Sequence, residues 1–423
     1  MSQSKIQRIK VIENAVQGRL TVGEAAELLQ ISRRQVQRLK KRHDANRAEW
    51  VVHGNRGRIP GNAIAPSVRQ RVVDLATGKY GGFNDTHLQE KLKTAEGIAI
   101  SRQSVRRILR TAGLRSPQKR RAPRYRSRRE RRTQEGMMLL VDASRHGWLE
   151  ERGPHLTLMG LADDATSKVP AAHFQTGHED AAGYLRLFRG LVTKRGIPLS
   201  VYRDQHSTMQ RNDKHWSVEE ELAGRQFPTQ VGRALEELGI EAIAARSPQA
   251  KGRIERTWRT FQDRLTSELR LAKASTVEQA NAVLERFLPD YNAQFAQPAA
   301  DSGCAYRKLD SRLDLNAIFS LRYQRVVGND HVIAAIPGVR IQLPPLASGR
   351  GYAGRKVEVC QQPAGDFHIY LDGRLLHMEP AGSDAGPVRA HAFRKSKAPR
   401  AKKAIAVASL PGNIFRRGIS KLN

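Results

Sequence analysis

From Arg115 to Arg132 the chain reads RSPQKRRAPRYRSRRERR. The run is mostly Lys and Arg, with a single acid, two prolines and almost no apolar side chain. Burying it would strip water from many unpaired charges, so no core can take it in. It reads as an extended linker, and the chain must fold as separate units on its two sides. At about 100–200 residues per domain, a chain of 423 residues suggests two to four domains. Its 39% hydrophobic share is enough for real cores.

The linker is part of a wider imbalance. The formal net charge is +32, of which residues 1–135 carry +21, residues 136–270 carry +1 and residues 271–423 carry +10. A surplus of this size repels itself unless a polyanion neutralises it, which makes nucleic acid the expected partner. No window approaches about 18 consecutive apolar residues, so no membrane span is expected. The first residues, MSQSKIQRIK, hold no apolar stretch of the kind a secretory signal needs. Cys304 and Cys360 stand far apart without a Cys-x-x-Cys, which fits a reducing cytoplasm and argues against a cysteine-rich zinc site.

On the N-terminal side, Ile6, Ile9, Ile12 and Val16 recur at helical spacing. Thr21-Val-Gly-Glu24 is a capping-box pattern that opens a second helix, and Ser32 can cap a third from Arg33 to His43. Helix, helix, short turn and helix resemble a helix-turn-helix, assigned to residues 1–52. Its third helix carries Arg33, Arg34, Gln35, Gln37, Arg38 and Lys41, with Val36 and Leu39 turned inward. Arg and Gln there can reach base edges in a major groove. Residues 63–114 repeat the arrangement. Asn84 or Asp85 caps one helix, and Ser101 caps another that carries Arg102, Gln103, Arg106 and Arg107. The ordinary alternative for the first group is a three-helix bundle with a solvated charged face.

After the linker, set at residues 115–134, the texture changes. Met137 to Asp142 is a short apolar run ending in an acid and reads as a buried strand. Strands are expected at Leu156–Leu161, Lys168–Phe174, Leu199–Asp204 and Ile240–Ala245, with helices at Asp180–Arg195 and Thr229–Leu238. A long helix follows Ser247-Pro-Gln-Ala-Lys-Gly252, with Glu255 near its start and a stripe of Ile254, Trp258, Phe261, Leu265 and Leu269. Asp163-Asp-Ala-Thr166 reads as a turn, and Glu150-Glu151 as a solvated one. Acids thus close the first and fourth strands and open the last helix.

The run Ser247-Pro-Gln-Ala-Lys-Gly-Arg-Ile-Glu255-Arg256, with Val141-Asp142-Ala-Ser144, Asp163-Asp-Ala-Thr166 and Asp204-x-His206-Ser207, resembles the DDE transposases of bacterial insertion sequences. Those have a retroviral-integrase-type catalytic core, and the likeness points to the group called ISNCY. It spans roughly residues 5–300. The resemblance implies a ribonuclease-H-like α/β core at residues 135–297, with Asp142, Asp204 and Glu255 as the catalytic and metal-holding triad. It also implies two Mg²⁺ ions, with Mn²⁺ able to substitute, and double-stranded DNA as element ends and target. A homo-oligomer on DNA in the bacterial cytoplasm follows, because two ends must be held together. The chemistry suits three acids: unpaired carboxylates brought together repel one another, and a divalent cation removes that penalty. If the long helix starts that early, Lys251 shares a helix face with Glu255 and, with Arg259, is a candidate for phosphate contact. Where Ser and a basic residue are expected to flank the second acid, this chain has Arg203 and Gln205. The rival reading is a catalytically silent DNA-binding regulator derived from a transposase.

Gly349-Arg-Gly351-Tyr-Ala-Gly354 matches G-x-G-x-x-G but lacks a strand before it and a helix after it, so it reads as a hairpin loop. With no Walker A pattern, no nucleotide cofactor is expected. Residues 310–380 show six short strand-like runs, read as a small β-barrel-like domain. Residues 381–423 read as a basic tail without a packed core.

Overall fold

The computed structural model describes residues 3–44, 58–115, 129–204, 207–211, 215–245, 252–344, 351–380, 382 and 388. It divides into two compact units, residues 1–74 with 107–112, and residues 75–106 with 113–423.

In the first unit, α1 (Gln3–Val16), α2 (Val22–Leu29) and α3 (Arg33–Asp44) follow one another as expected. The capping box is complete. Glu24 N donates to Thr21 Oγ1 at 3.2 Å, and Thr21 N donates to Glu24 Oε2 at 2.7 Å. Gln30, at φ 51°, stops α2, and Ser32 Oγ accepts from Gln35 N at 3.3 Å to open α3. Ile12, Ala15, Ala25, Val36 and Leu39 form the core. Burying Val36 and Leu39 leaves Arg33, Arg34, Gln35, Gln37, Arg38 and Lys41 exposed on the opposite face. Lys40 is spent otherwise, donating to Ala15 O at 2.8 Å.

The second helix group comprises α4 (Pro66–Thr77), α5 (Asp85–Thr94) and α6 (Arg102–Thr111). Asn84 caps α5 through Thr86 N and His87 N, and Ser101 Oγ accepts from Ser104 N at 3.2 Å to start α6. Arg102, Gln103, Arg106 and Arg107 are exposed. The division between units runs through this group and not at the basic run. The reason is that α5 is held by the second unit, through charged contacts described below.

The second unit is built on β1 (Met138–His146), β2 (Leu156–Asp163), β3 (Ala171–Thr176), β4 (Ser200–Arg203) and β5 (Glu241–Ala244). Helices α7 (Ala181–Arg195), α8 (Val218–Ala223) and α9 (Gln230–Glu237) lie between these strands in sequence, and α10 (Gly252–Leu271) and α11 (Val277–Phe295) follow them. The sheet order is β3-β2-β1-β4-β5. β1, β2 and β3 are antiparallel, and β1, β4 and β5 are parallel. This is the ribonuclease-H-like arrangement. One face, with Leu139, Val141, Met159 and Leu161, packs on α7 and α9. The other, with Met138, Leu140, Leu158 and Phe174, packs on α10 and α11.

Two expectations change here. β1 does not end at Asp142 but runs on to His146, because β2 keeps pairing with it after its parallel partner β4 has stopped. Glu150 is not simply solvated. At φ 53° after β1, it pairs with Arg152 and, at 2.5 Å, with Arg270, whose hydrogen bonds above all pull its carboxyl down to about 2. A carboxyl lowered on folding stabilises above its unfolded pKa and loses that contribution as pH falls toward the folded value. Glu150→Gln should therefore lower the melting temperature at pH 6, and the gap to wild type should close between about pH 4.5 and 2 in parallel thermal melts. A constant gap over that range would contradict the pairing.

At the β3 edge of the sheet, side chains of α11 take up backbone groups of Phe174 and of the segment leading into β3. Asn281 of α11 gives its amide to Phe174 O at 3.0 Å and accepts from Phe174 N at 2.7 Å. Asn292 does the same to Val169, at 3.0 and 2.7 Å. α5 lies on α10 through polar contacts. His87 meets Glu268 at 2.7 Å, Lys91 meets it at 2.9 Å, and Arg264 meets Glu90 at 2.6 Å.

After α12 (Leu315–Ile318) come the six expected strands: β6 (Leu321–Val326), β7 (Val332–Ile336), β8 (Val339–Gln342), β9 (Lys356–Gln361), β10 (Phe367–Leu371) and β11 (Arg374–Glu379). They form a four-stranded sheet, β11-β10-β9-β6, and a β7–β8 hairpin. Their core runs without a break into the α7 and α9 face of the five-stranded sheet. Gln230 of α9 exchanges hydrogen bonds with the Arg322 backbone at 2.8 and 3.0 Å, and Arg322 pairs with Glu237 at 2.9 Å.

Candidate active site

Asp142 lies opposite Gly160 of β2, at a level where β1 has lost its neighbour on the β4 side. Asp204 is the first residue after β4. Leu140 and Tyr202 are the last matched pair of the two parallel strands, so Asp142 and Asp204 lie two residues beyond it on each. Ligand sites of open α/β sheets lie at this end of the strands.

Tyr184 of α7 feels the charge of both aspartates. It is 3% exposed and donates its hydroxyl to Glu179. Burial raises its pKa most, and the charges of Glu179, Asp142 and Asp204 add to the effect. Both aspartates thus act on one buried phenol, which stays protonated.

Glu255 is in the first turn of α10 and exposed. Among the described residues no group of three His, Cys, Asp or Glu is gathered closely enough to hold one metal ion, so Asp142, Asp204 and Glu255 are not drawn together as one such group. Its helix does touch the site: Trp258 donates Nε1–H to Asp142 Oδ2 at 3.0 Å. Arg259 is exposed on the same helix. Gln205, His206, Gln249 and Lys251 lie outside the described residues, as does most of the Ser247-to-Glu255 run.

Asp163 and Asp164 serve the fold. Asp163 accepts from Gly136 N at 2.9 Å, Thr166 N at 2.7 Å and Thr166 Oγ1 at 2.8 Å, and burial raises its pKa. Asp164 is fully buried and joins three segments. It accepts from Arg129 at 2.5 Å, from Arg132 N at 2.9 Å and from Arg253, two residues before Glu255. Arg131 adds hydrogen bonds to Asp164 O and Ala165 O at 2.8 and 3.1 Å. The end of the basic run is thereby fastened to the β2–β3 turn and to the start of α10. Removing one partner of a buried charge cluster costs about 3–5 kcal/mol. Asp164→Ala should lose stability near the low end of that range, since Arg129 and Arg253 are partly solvated; denaturant unfolding measures it. A loss under about 1 kcal/mol would show that water replaces the carboxylate without penalty.

Trp258, Gly160 and Tyr184 were missed as site residues by sequence reasoning. Trp258 was visible only as one member of the apolar stripe, and nothing in an apolar stripe marks an indole N–H aimed at a carboxylate.

Residues 7–58 match the helix-turn-helix domain family. The transposase for insertion sequence IS1202 of Streptococcus pneumoniae is 28% identical over 400 residues, covering 86% of this chain and 83% of that one. A Sinorhizobium fredii protein named as a transposase, y4bF, is 36% identical over 376 residues, covering 89% of this chain and 79% of that one. The chain belongs to the insertion-sequence transposases. The transposase is also similar to the catalytic core domain of BIV integrase, at 16% identity and a TM-score of 0.25, over 35% of this chain and 80% of that one. As a helix-turn-helix protein of this family, the transposase has DNA as its partner. Among its described residues, no helix is long and apolar enough to cross a membrane.

Proposed function

We propose that the transposase binds the inverted-repeat ends of its element, cleaves there to expose 3′-hydroxyls and joins them to target DNA. Asp142, Asp204 and Glu255 would be its catalytic acids. The observation that carries this reading is the placement of Asp142 and Asp204 beyond the last matched pair of two adjacent parallel strands, with the Glu255 helix bonded to Asp142.

Carboxylate oxygens are hard donors, and two aspartates beside one another suit Mg²⁺ or Mn²⁺, with Glu255 as the third acid. Two such ions, when bound, supply neutralisation of the acids and stabilisation of the attacking and leaving oxygens of an in-line displacement at phosphorus. The chain's own groups do the rest. The exposed faces of α3 and α6 read and grip the ends, with Arg and Gln toward base edges and the surplus charge toward phosphates. Arg259, and Lys251 by its place in the sequence, hold phosphate near the acids. No nucleotide is needed, since joining exchanges one phosphodiester for another. Two ends in one reaction call for a multimer, acting in the cytoplasm where the DNA lies.

The test is a joining assay on oligonucleotides carrying the element's own ends. Joined products are expected only with Mg²⁺ or Mn²⁺. One observation, that the three acids are not gathered as one group, favours a second reading: a regulator that binds ends without cutting. Footprints on the ends with no metal-dependent nicking would decide for it.

A further inference from the structure

We infer that Trp258 is the positioning residue for Asp142, holding that carboxylate in the orientation a divalent cation requires. The inference rests on the proposal that Asp142 is one of the metal-holding acids. Three features of the structure lead to it. The indole Nε1–H donates to Asp142 Oδ2 at 3.0 Å. Trp258 is 3% exposed and stacks edge-on against Phe261, with ring centroids 5.4 Å apart, so the indole is held by packing as well as by the bond. Gly160, the residue paired with Asp142 across the strands, leaves the slot the ring occupies: a Cβ there would come within 2.6 Å of Trp258 Cη2. A Gly opposite the acid and a Trp inserted over that Gly form one built arrangement.

An indole N–H suits the task. It is a donor only and carries no charge, so it fixes a carboxylate without competing with a cation. Partners that orient a metal ligand in this way are worth about 10–100-fold in metal affinity. Trp258 is also three residues after Glu255, within one turn of the same helix. One hydrogen bond therefore ties the helix that carries one acid to the strand that carries another.

The test is calorimetric titration of the full chain with Mn²⁺ alone, comparing wild type, Trp258→Phe and Asp142→Asn. Phenylalanine keeps an aromatic ring and loses the N–H. Trp258→Phe should melt lower, because the smaller ring leaves part of its slot empty, yet still be folded at the temperature of the titration and bind Mn²⁺ about tenfold more weakly, with Asp142→Asn weaker still. If Trp258→Phe binds as wild type does while Asp142→Asn is impaired, the positioning role is overturned and the assignment of Asp142 stands. If Asp142→Asn binds as wild type does, both fall. Should Trp258→Phe fail to fold, the indole N–H resonances of the wild-type chain answer instead. The indole N–H of Trp258, one of four tryptophans, is expected to shift on addition of diamagnetic Mg²⁺ and to be unmoved by it in Asp142→Asn. No shift of that resonance with Mg²⁺ overturns the inference.

Discussion

Asp204→Asn and Glu255→Gln are each expected to reduce joining of the element's ends more than about 100-fold. Both exchanges keep the size of the side chain and remove only its charge. Residues that merely orient metal ligands are worth about 10–100-fold, so losing a ligand itself should exceed that range. Binding of the ends should survive, because the side chains expected to grip them are on α3 and α6. Stability should also survive for Glu255→Gln, since Glu255 is exposed and surface exchanges usually stay within about ±0.5 kcal/mol. The informative pattern is therefore unaltered end binding and melting with joining lost, read from the same preparation by gel shift, thermal melt and product gel. If both variants cut and join as well as wild type, the assignment of the acids is wrong. If Asp204→Asn fails and Glu255→Gln does not, the third acid must come from elsewhere.

Phe261→Ala is expected to cost about 3–5 kcal/mol of unfolding free energy. Phe261 is fully buried at the centre of the aromatic cluster under the sheet, with ring centroids 4.6 Å from Tyr291, 5.2 Å from Phe287 and 5.4 Å from Trp258. Rings from two helices meet there, so the side chains around a deletion cannot close in without moving a helix. A loss of that size is a large part of the roughly 5–15 kcal/mol that keeps a domain folded. Phe261→Leu should cost less than half as much, because more of the volume stays filled. The denaturant midpoints of the two variants test this, and equal midpoints for Ala and wild type would mean that the cluster contributes nothing. Trp258 rests on Phe261, so the Ala variant should also lose joining at temperatures where it is still folded.

Much of the fold could be read from residues whose role is local. Thr21 with Glu24, Asn84 and Ser101 announce their helices because a cap needs only its own turn. The β1, β2 and β4 runs could be read because both faces of the sheet are covered and nearly every position is apolar. α11 was not anticipated, although Thr276 and Gln279 form a complete capping box, because Pro289 interrupts its pattern. The length of β1 could not be read either: what carries it past Asp142 is a pairing with β2, and pairings are not local. The same holds for the site. In the sequence, Asp142 and Asp204 stand out as acids closing apolar runs and Glu255 as one near the start of a helix. The bond from Trp258, the slot at Gly160 and the phenol of Tyr184 exist only once distant elements have met.

The amides of Asn281 and Asn292 have a consequence for assembly. An open sheet edge invites a strand from another copy, and that invitation is a common route to fibres. Here the outermost strand already has the backbone groups of Phe174 satisfied from within the same molecule, and the segment leading into it those of Val169, by a helix that belongs to the core. Copies of the transposase crowded along DNA have no ready ladder to extend at that edge. Exchanging Asn281 for an apolar residue would reopen a stretch of that edge, and in a crowded complex the damage would show as aggregation before it showed as lost catalysis.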